Sequence, residues 1–144
     1  AHVLDDGIMR LPSVQEGSGP FPRSKSAWAD SSPETDGETF TAASFYCALM
    51  TATCLDLVGA EGSVFVEGPF AGNDLYCAML GAALQRDVVP SKSGQTGTSL
   101  GAAMLAGPAT VDPFTAAPMS LHPQSGAMHE YAEAWQELAV GTSQ

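Results

Sequence analysis

Two short apolar segments, separated by a segment long enough for one helix, constrain the fold of this chain more than any other feature. Ser63–Glu67 and Asp87–Pro90 are rich in β-branched residues, which favour strands. The segment between them, from Asp74 to about Gln85, has the length and apolar content of a helix. A strand, helix and strand in this order predict parallel pairing through a right-handed crossover, and therefore an α/β fold.

Three further helices are expected around this unit. The first spans roughly 20 residues, with Ser32 as N-cap, Pro33 in the first helical position and Gly59 as the stop. We expect it to be buried on much of its circumference, because its apolar residues are not confined to one stripe. They are Phe40, Ala43, Cys47, Ala48, Leu49, Met50, Cys54, Leu55 and Val58. The other two helices are predicted at Gly97–Ala106 and Ser125–Val140.

The first 33 residues differ in character from residues 34–144 and are expected to form a separate entry segment. Repeated Pro and Gly interrupt helix formation there and predict a short strand or hairpin near Gly7–Leu11, followed by a surface loop. The sequence starts with neither an initiating Met nor a signal peptide. We therefore expect the chain to be a fragment of a longer polypeptide.

The charge balance excludes several classes of partner. Five Lys and Arg residues against 16 Asp and Glu residues give a net charge of -11. An acidic surface repels phosphate backbones and anionic lipids, so we expect neither nucleic acid nor a membrane as partner. The sequence contains no run of 18 apolar residues, so it predicts no membrane span. If ATP binds, metal ions and backbone amides must hold the triphosphate, or the phosphate contacts must come from outside this sequence.

Cysteine and histidine residues point to no metal site. The three cysteines, Cys47, Cys54 and Cys77, form no CxxC pair, which favours buried, unreactive thiols in a reducing compartment. The histidines, His2, His122 and His129, are not spaced as ligands with one another or with the cysteines. We predict neither a metal ligand nor a catalytic residue in this chain.

The junction between the first strand and the next helix is the strongest candidate for a binding site. The stretch Val64–Asn73 leads from a buried strand through a glycine-containing turn to a helix N-terminus, where α/β proteins often bind ligands. Gly68 would permit a sharp turn or the close approach of a ligand. Asn73 would cap the helix or direct its amide at a ligand. The residues alone favour an ordinary connection capped by Asn73.

A second candidate is the glycine-rich stretch from Gly94 to Gly107. It is not a phosphate loop of the GxxxxGK[ST] type, because no Lys follows its second Gly. The small residues Gly101, Ala102 and Ala103 would let another element approach closely, so packing explains them. The hydroxyl residues Thr96, Thr98 and Ser99 are most simply helix caps.

Together these stretches resemble the C-terminal domain of the FGGY carbohydrate kinases, of the actin-like ATPase (ribonuclease H-like) superfamily. Members carry a hydrophobic strand that ends in Asp-Gly-Gly or Glu-Gly-Gly, with Asn four positions after the second Gly. Here this segment is Glu67-Gly68-Pro69-Phe70-Ala71-Gly72-Asn73. Ala82–Pro90 is similar to the helix end and strand that follow, and Ser99–Ala106 to an "A-L-G-A-A-x-L-A" helix. The resemblance covers roughly residues 40 to 107, with short parallel strands and packed helices as the implied fold.

The resemblance implies that Gly68, Pro69, Phe70, Ala71 and Asn73 wrap the adenosine of ATP. Pro69 departs from the family pattern, because it replaces the second glycine and has no amide hydrogen to donate. Phe70 instead offers an apolar surface to the adenine. Family members use an Asp general base in an Asp-Gln-Gly context, which this sequence lacks. No catalytic residue is carried over.

The implied function is ATP- and Mg²⁺-dependent phosphorylation of a sugar or polyol by a cytoplasmic parent protein. This chain would supply the adenosine half of the cleft, and the sugar would bind to the remaining lobe. The resemblance is compatible with a homodimer of the parent protein. The alternative is a non-catalytic nucleotide-binding or assembly module of actin-like fold, in which Pro69 marks a degraded site.

Overall fold

The computed structural model describes residues 2–91, 97–106 and 125–141. The elements in these ranges alternate between helices and short strands in the predicted order. They are α1 (His2–Asp5), α2 (Asp36–Leu57), β1 (Val64–Val66), a 3₁₀-helix (Gly68–Gly72), α3 (Asp74–Leu84), β2 (Val88–Pro90), α4 (Gly97–Ala106) and α5 (Ser125–Gly141). Of the residues named in the sequence analysis, Gly94, Thr96, Gly107 and His122 lie outside the described residues.

The two strands pair in parallel, with Val64 opposite Val88 and Val66 opposite Pro90. Helix α3 connects them, as in a strand-helix-strand unit. This confirms the predicted parallel α/β arrangement. Strand β1 is less buried than expected, because Phe65 in its middle is 50% exposed.

Helix α2 begins three residues later than predicted. Thr35, not Ser32, is its N-cap, and the Thr35 hydroxyl accepts a hydrogen bond from the Glu38 amide. The Glu38 carboxylate in turn accepts from the amides of Glu34 and Thr35. This reciprocal capping box requires Glu or Gln three positions after the cap, which Thr35 has in Glu38 and which Ser32 lacks.

The short strand or hairpin predicted near Gly7–Leu11 is reduced to an isolated antiparallel bridge between Arg10 and Trp28, flanked by two backbone hydrogen bonds. The segment is also held by α5. The Tyr131 hydroxyl donates to the Ile8 carbonyl at 2.7 Å, and the Trp135 indole donates to the Arg10 carbonyl at 2.7 Å. Side chains of α5 therefore supplement a backbone pairing that is too short to form a strand.

The hydrophobic core lies where α2, α3 and α5 meet, under the N-terminal segment. Phe45 of α2 meets Tyr131 of α5 edge-on at 5.4 Å between ring centroids. Trp135 is fully buried and meets Phe21 of the N-terminal segment at 5.8 Å. The predicted surface loop is thus partly core, because its aromatic residue closes the interior over Trp135.

One side of α2 differs from the expectation that the helix is buried on much of its circumference. The inner face, which includes Phe45, Ala48, Leu49 and Ala52, is buried. The opposite side is an apolar stripe that we call the outer face: Phe40, Ala43, Cys47, Cys54 and Val58. Of these, Cys47 is half-buried and the others are exposed. Cys54 therefore corrects the prediction of buried thiols, whereas Cys77 is buried as predicted.

Candidate functional site

The segment after β1 is a short 3₁₀-helix rather than the simple turn expected from sequence. Gly68, its first residue, has φ of +73°, a conformation that side-chain-bearing residues rarely adopt. Apart from its chain neighbours, no atom of the described residues lies within 4 Å of where a Cβ would stand. Gly68 is therefore required by the backbone conformation and not by a crowded contact. Pro69 occupies the first turn, where its fixed φ and missing amide hydrogen are tolerated.

Asn73 links this segment to two helices through both ends of its side-chain amide. Its Oδ1 accepts from the Tyr76 amide at 3.0 Å, which confirms the predicted cap of α3. Its Nδ2 donates to the Ser44 hydroxyl of α2 at 2.9 Å. Ser44 donates onward to the Phe40 carbonyl at 2.9 Å. The Asn73 side chain therefore fixes the segment against α2, and this role was not apparent from the sequence.

A shallow groove of about 440 Å³ opens beside this segment. Its walls come from the N-terminal part of α2, from the 3₁₀-helix and from the start of α3. The lining residues are Phe40, Pro69, Phe70, Gly72, Asn73, Asp74 and Leu75. Three of the predicted site residues, Pro69, Phe70 and Asn73, thus come together at one surface. Gly68 and Ala71 do not line it.

Phe70 has the geometry of a stacking platform. Its ring packs on the Tyr76 ring with 4.7 Å between centroids and a tilt of 44°. Phe70 is nevertheless 45% exposed, so part of its surface is open to a ligand. Tyr76 is itself held in place, because its hydroxyl donates to Thr51 of α2 at 3.1 Å. Burial raises the pKa of the Tyr76 hydroxyl. A flat aromatic ligand could therefore stack on a supported ring.

Phe40 is the groove residue that sequence reasoning missed. It lies on α2, 30 positions before Phe70, and was expected to face the core. It is instead 60% exposed and lines the groove. No local motif marks it, since only the packing of α2 against α3 brings the two phenylalanines to one surface.

The groove is suited to a neutral ligand more than to a phosphate group. Among the described residues, Asp74 is the only charged residue in its lining, and no Lys or Arg lines it. Arg10 stacks on Trp28, with its guanidinium 4.9 Å from the ring centroid, and Arg86 donates to the Ala60 carbonyl at 2.7 Å. The described residues also contain no group of three or more His, Cys, Asp or Glu that could hold a metal ion.

The second candidate stretch is helical, as predicted, from Gly97 to Ala106. Among the described residues, nothing outside its own helix lies within 4 Å of where a Cβ of Gly101 would stand, so the close approach expected there is not seen in that part of the chain. Leu105, on the same helix, is 92% exposed. Thr96 lies outside the described residues, so its predicted capping role stays a prediction.

Two comparisons with known proteins relate the chain to carbohydrate kinases. Residues 1–114 match the family model described as carbohydrate kinase FGGY, C-terminal domain. The chain is also similar to the crystal structure of a carbohydrate kinase from Novosphingobium aromaticivorans, with 32% sequence identity and a TM-score of 0.79. That match covers 96% of this chain and 30% of the other, so this chain spans less than a third of that kinase. No match was found among curated proteins.

Proposed function

This chain belongs to the FGGY family of carbohydrate kinases, and we propose that its parent protein transfers the γ-phosphoryl group of ATP to a hydroxyl of a sugar or polyol. Its α/β fold is that of the actin-like ATPases, to which the C-terminal domain of such kinases belongs. Within that protein, this chain supplies the adenosine side of the cleft. We place the reaction in the cytoplasm, because carbohydrate kinases of this family are generally cytoplasmic.

The groove beside Phe70 is the observation that supports this assignment. Adenine is flat and aromatic, and Phe70 offers it an exposed ring backed by Tyr76. Phe40 and Pro69 add apolar surface around it. Most small-molecule sites share this composition of apolar walls with a few polar groups, here Asn73 and Asp74.

The acidic character of the chain limits what it does in the reaction. With Asp74 in the groove and no basic residue beside it among those described, the triphosphate must be held elsewhere in the parent protein. The same is proposed for Mg²⁺, which neutralises phosphate charge when bound, and for the general base. This chain therefore binds and orients the nucleoside, while the chemical step takes place on residues of the other lobe.

A first test compares nucleoside with nucleotide. Calorimetric titration of this chain with adenosine and with ATP should give similar affinities, because the triphosphate finds no basic partner in the groove. If ATP bound at least tenfold more tightly than adenosine, the proposal that this chain binds only the nucleoside part would be contradicted. No binding of either ligand at millimolar concentration would contradict the assignment of the groove.

A second test uses the full-length protein. Phe70→Ala should raise the KM for ATP by about threefold to tenfold, through the lost stacking, and leave the KM for the sugar unchanged. Val14→Ala is the matched control, since Val14 is an exposed apolar residue outside the groove. An unchanged KM for ATP in Phe70→Ala would count against the groove.

Pro69 favours one alternative, a nucleotide-binding or assembly module without catalysis. Its ring removes a backbone donor at the position where the family carries glycine. A full-length protein that binds ATP and phosphorylates no member of a panel of sugars and polyols would support this alternative.

A further inference from the structure

Helix α2 lacks the polar outer face that surface helices normally carry. Between Thr39 and Leu55 it contains no charged residue. Only 39% of its most apolar stretch is buried. A helix that is apolar all round is typically enclosed on all sides, in the centre of a large protein or in a membrane. The surroundings of α2 therefore account for only part of its sequence.

The apolar residues of the outer face lie on one side of α2 and are interrupted by Thr51, whose hydroxyl accepts a hydrogen bond from Tyr76 of α3. Phe40, Ala43, Cys47, Cys54 and Val58 are separated by three, four, seven and four positions, a spacing that keeps them on one side of a helix. Phe40 is 60% exposed and Val58 is 76% exposed, with Leu57 beside it at 70%. The stripe extends over about 27 Å at the usual helical rise. Such a patch on a soluble protein is typical of an interface.

We propose that the outer face of α2 from Ala43 to Val58 is an interface with the remainder of the kinase chain, which covers it with an apolar surface, while Phe40 belongs to the groove. The length of the similar kinase indicates what covers this face. The match includes 96% of this chain, whereas more than two thirds of that kinase lies outside it. The absence of charge from Thr39 to Leu55 requires the covering surface to be apolar. This proposal rests on family membership and not on the adenosine groove.

Two other occupants are less consistent with the structure. By length and composition alone α2 could cross a bilayer, but the core helix of a soluble protein passes the same test. The inner face of α2 is already part of the core, where Phe45 packs on Tyr131. A second copy of this chain would cover the outer face only at sufficient concentration. Each of these occupants predicts its own pattern of thiol protection and vesicle binding.

Thiol accessibility tests the proposal without a substitution, because Cys54 lies in the centre of the outer face and is exposed. This chain and the full-length protein are treated with a maleimide, and the modified peptides are quantified by mass spectrometry over time. Cys54 should be modified at least about tenfold more slowly in the full-length protein, where covering residues must open first. Buried Cys77 is the internal control and should be slow in both. Equal rates at Cys54 would overturn the proposal.

Charge insertion provides the second measurement. Val58→Asp should lower the Tm of the full-length protein clearly more than Val14→Asp, since Val14 is similarly exposed at 59% but lies outside the stripe. In this chain alone the two substitutions should have similar, small effects. Equal effects in the full-length protein would contradict the proposal.

The other occupants give distinct results. If a second copy covers the face, protection of Cys54 in this chain will rise with concentration and will not increase further in the full-length protein. If a bilayer covers it, this chain will sediment with neutral phosphatidylcholine vesicles, and Val58→Asp will abolish sedimentation. Either result would overturn the assignment to the remainder of the chain.

Discussion

The two faces of α2 have nearly the same chemistry and opposite surroundings. Phe45, on the inner face, is 1% exposed and packs edge-on against Tyr131. Phe40, on the same helix, is 60% exposed and contributes to an open groove. The comparison teaches that an apolar sequence does not by itself decide which face of a helix is buried. The packing of α3 and α5 decides it within this chain.

The matched pair Phe45→Ala and Phe40→Ala should separate the faces most strongly. Removing the buried ring should lower the free energy of unfolding of this chain by about 3–5 kcal/mol, through lost burial and a residual cavity. Removing the exposed ring should change it by less than about 0.5 kcal/mol. Urea unfolding followed by far-UV circular dichroism measures both. Similar losses in the two variants would show that the outer face is already covered in this chain.

A smaller effect is expected at Ser44, which joins α2 to the segment containing the groove. Ser44→Ala should lower the free energy of unfolding by about 1–2 kcal/mol, because the Asn73 amide loses its acceptor in a buried position. Thr41→Ala is the control, since the Thr41 hydroxyl bonds only to the Gly37 carbonyl of its own helix. A double-mutant cycle with Asn73→Ala should show coupling between the two residues, and additive losses would speak against it.

The smallest effect is expected at the exposed start of α2, where stability should depend on the charge of Glu38. Hydrogen bonds from the amides of Glu34 and Thr35 lower the pKa of its carboxyl. The stabilisation is therefore complete above the ordinary pKa of the unfolded chain and is lost as the pH falls through the lower folded value.

Glu38→Gln should keep the capping geometry and remove this pH dependence. The fall in Tm between about pH 6.5 and pH 3.5 should be smaller in the variant than in the wild type. Glu61→Gln, at an exposed site outside a capping box, is the control. An identical fall in the Glu38 variant and the wild type would show that the cap contributes nothing through its charge.

Local chemistry explains which elements could be predicted. The Asn73 cap, the parallel strands and the helix between them follow from residues adjacent in sequence. The start of α2 was misplaced because Ser32-Pro33 and Thr35 compete as starts, although the Thr35–Glu38 spacing of a capping box was present to decide it. The predicted strand near Gly7 failed for a different reason. A strand requires a continuous partner, whereas this segment pairs with residues 27–29 over a single bridge and is otherwise held by side chains of α5.

The candidate site divides in the same way. Pro69, Phe70 and Asn73 could be proposed from a family resemblance in one continuous stretch, and the structure places all three along the groove. Phe40 could not be proposed, because α2 shows no apolar stripe that distinguishes its faces. The engagement of the Asn73 amide with Ser44 is also a tertiary contact, across 29 positions of sequence.

The sequence by itself determined the α/β class, the family and the acidic charge balance. Each of these depends on residue type and local order, which the chain carries before it folds. The tertiary structure decided which face of α2 is buried, which aromatic residues meet in the groove and which thiol is exposed. These depend on the approach of helices distant in sequence, and a uniformly apolar helix contains no signal for that choice.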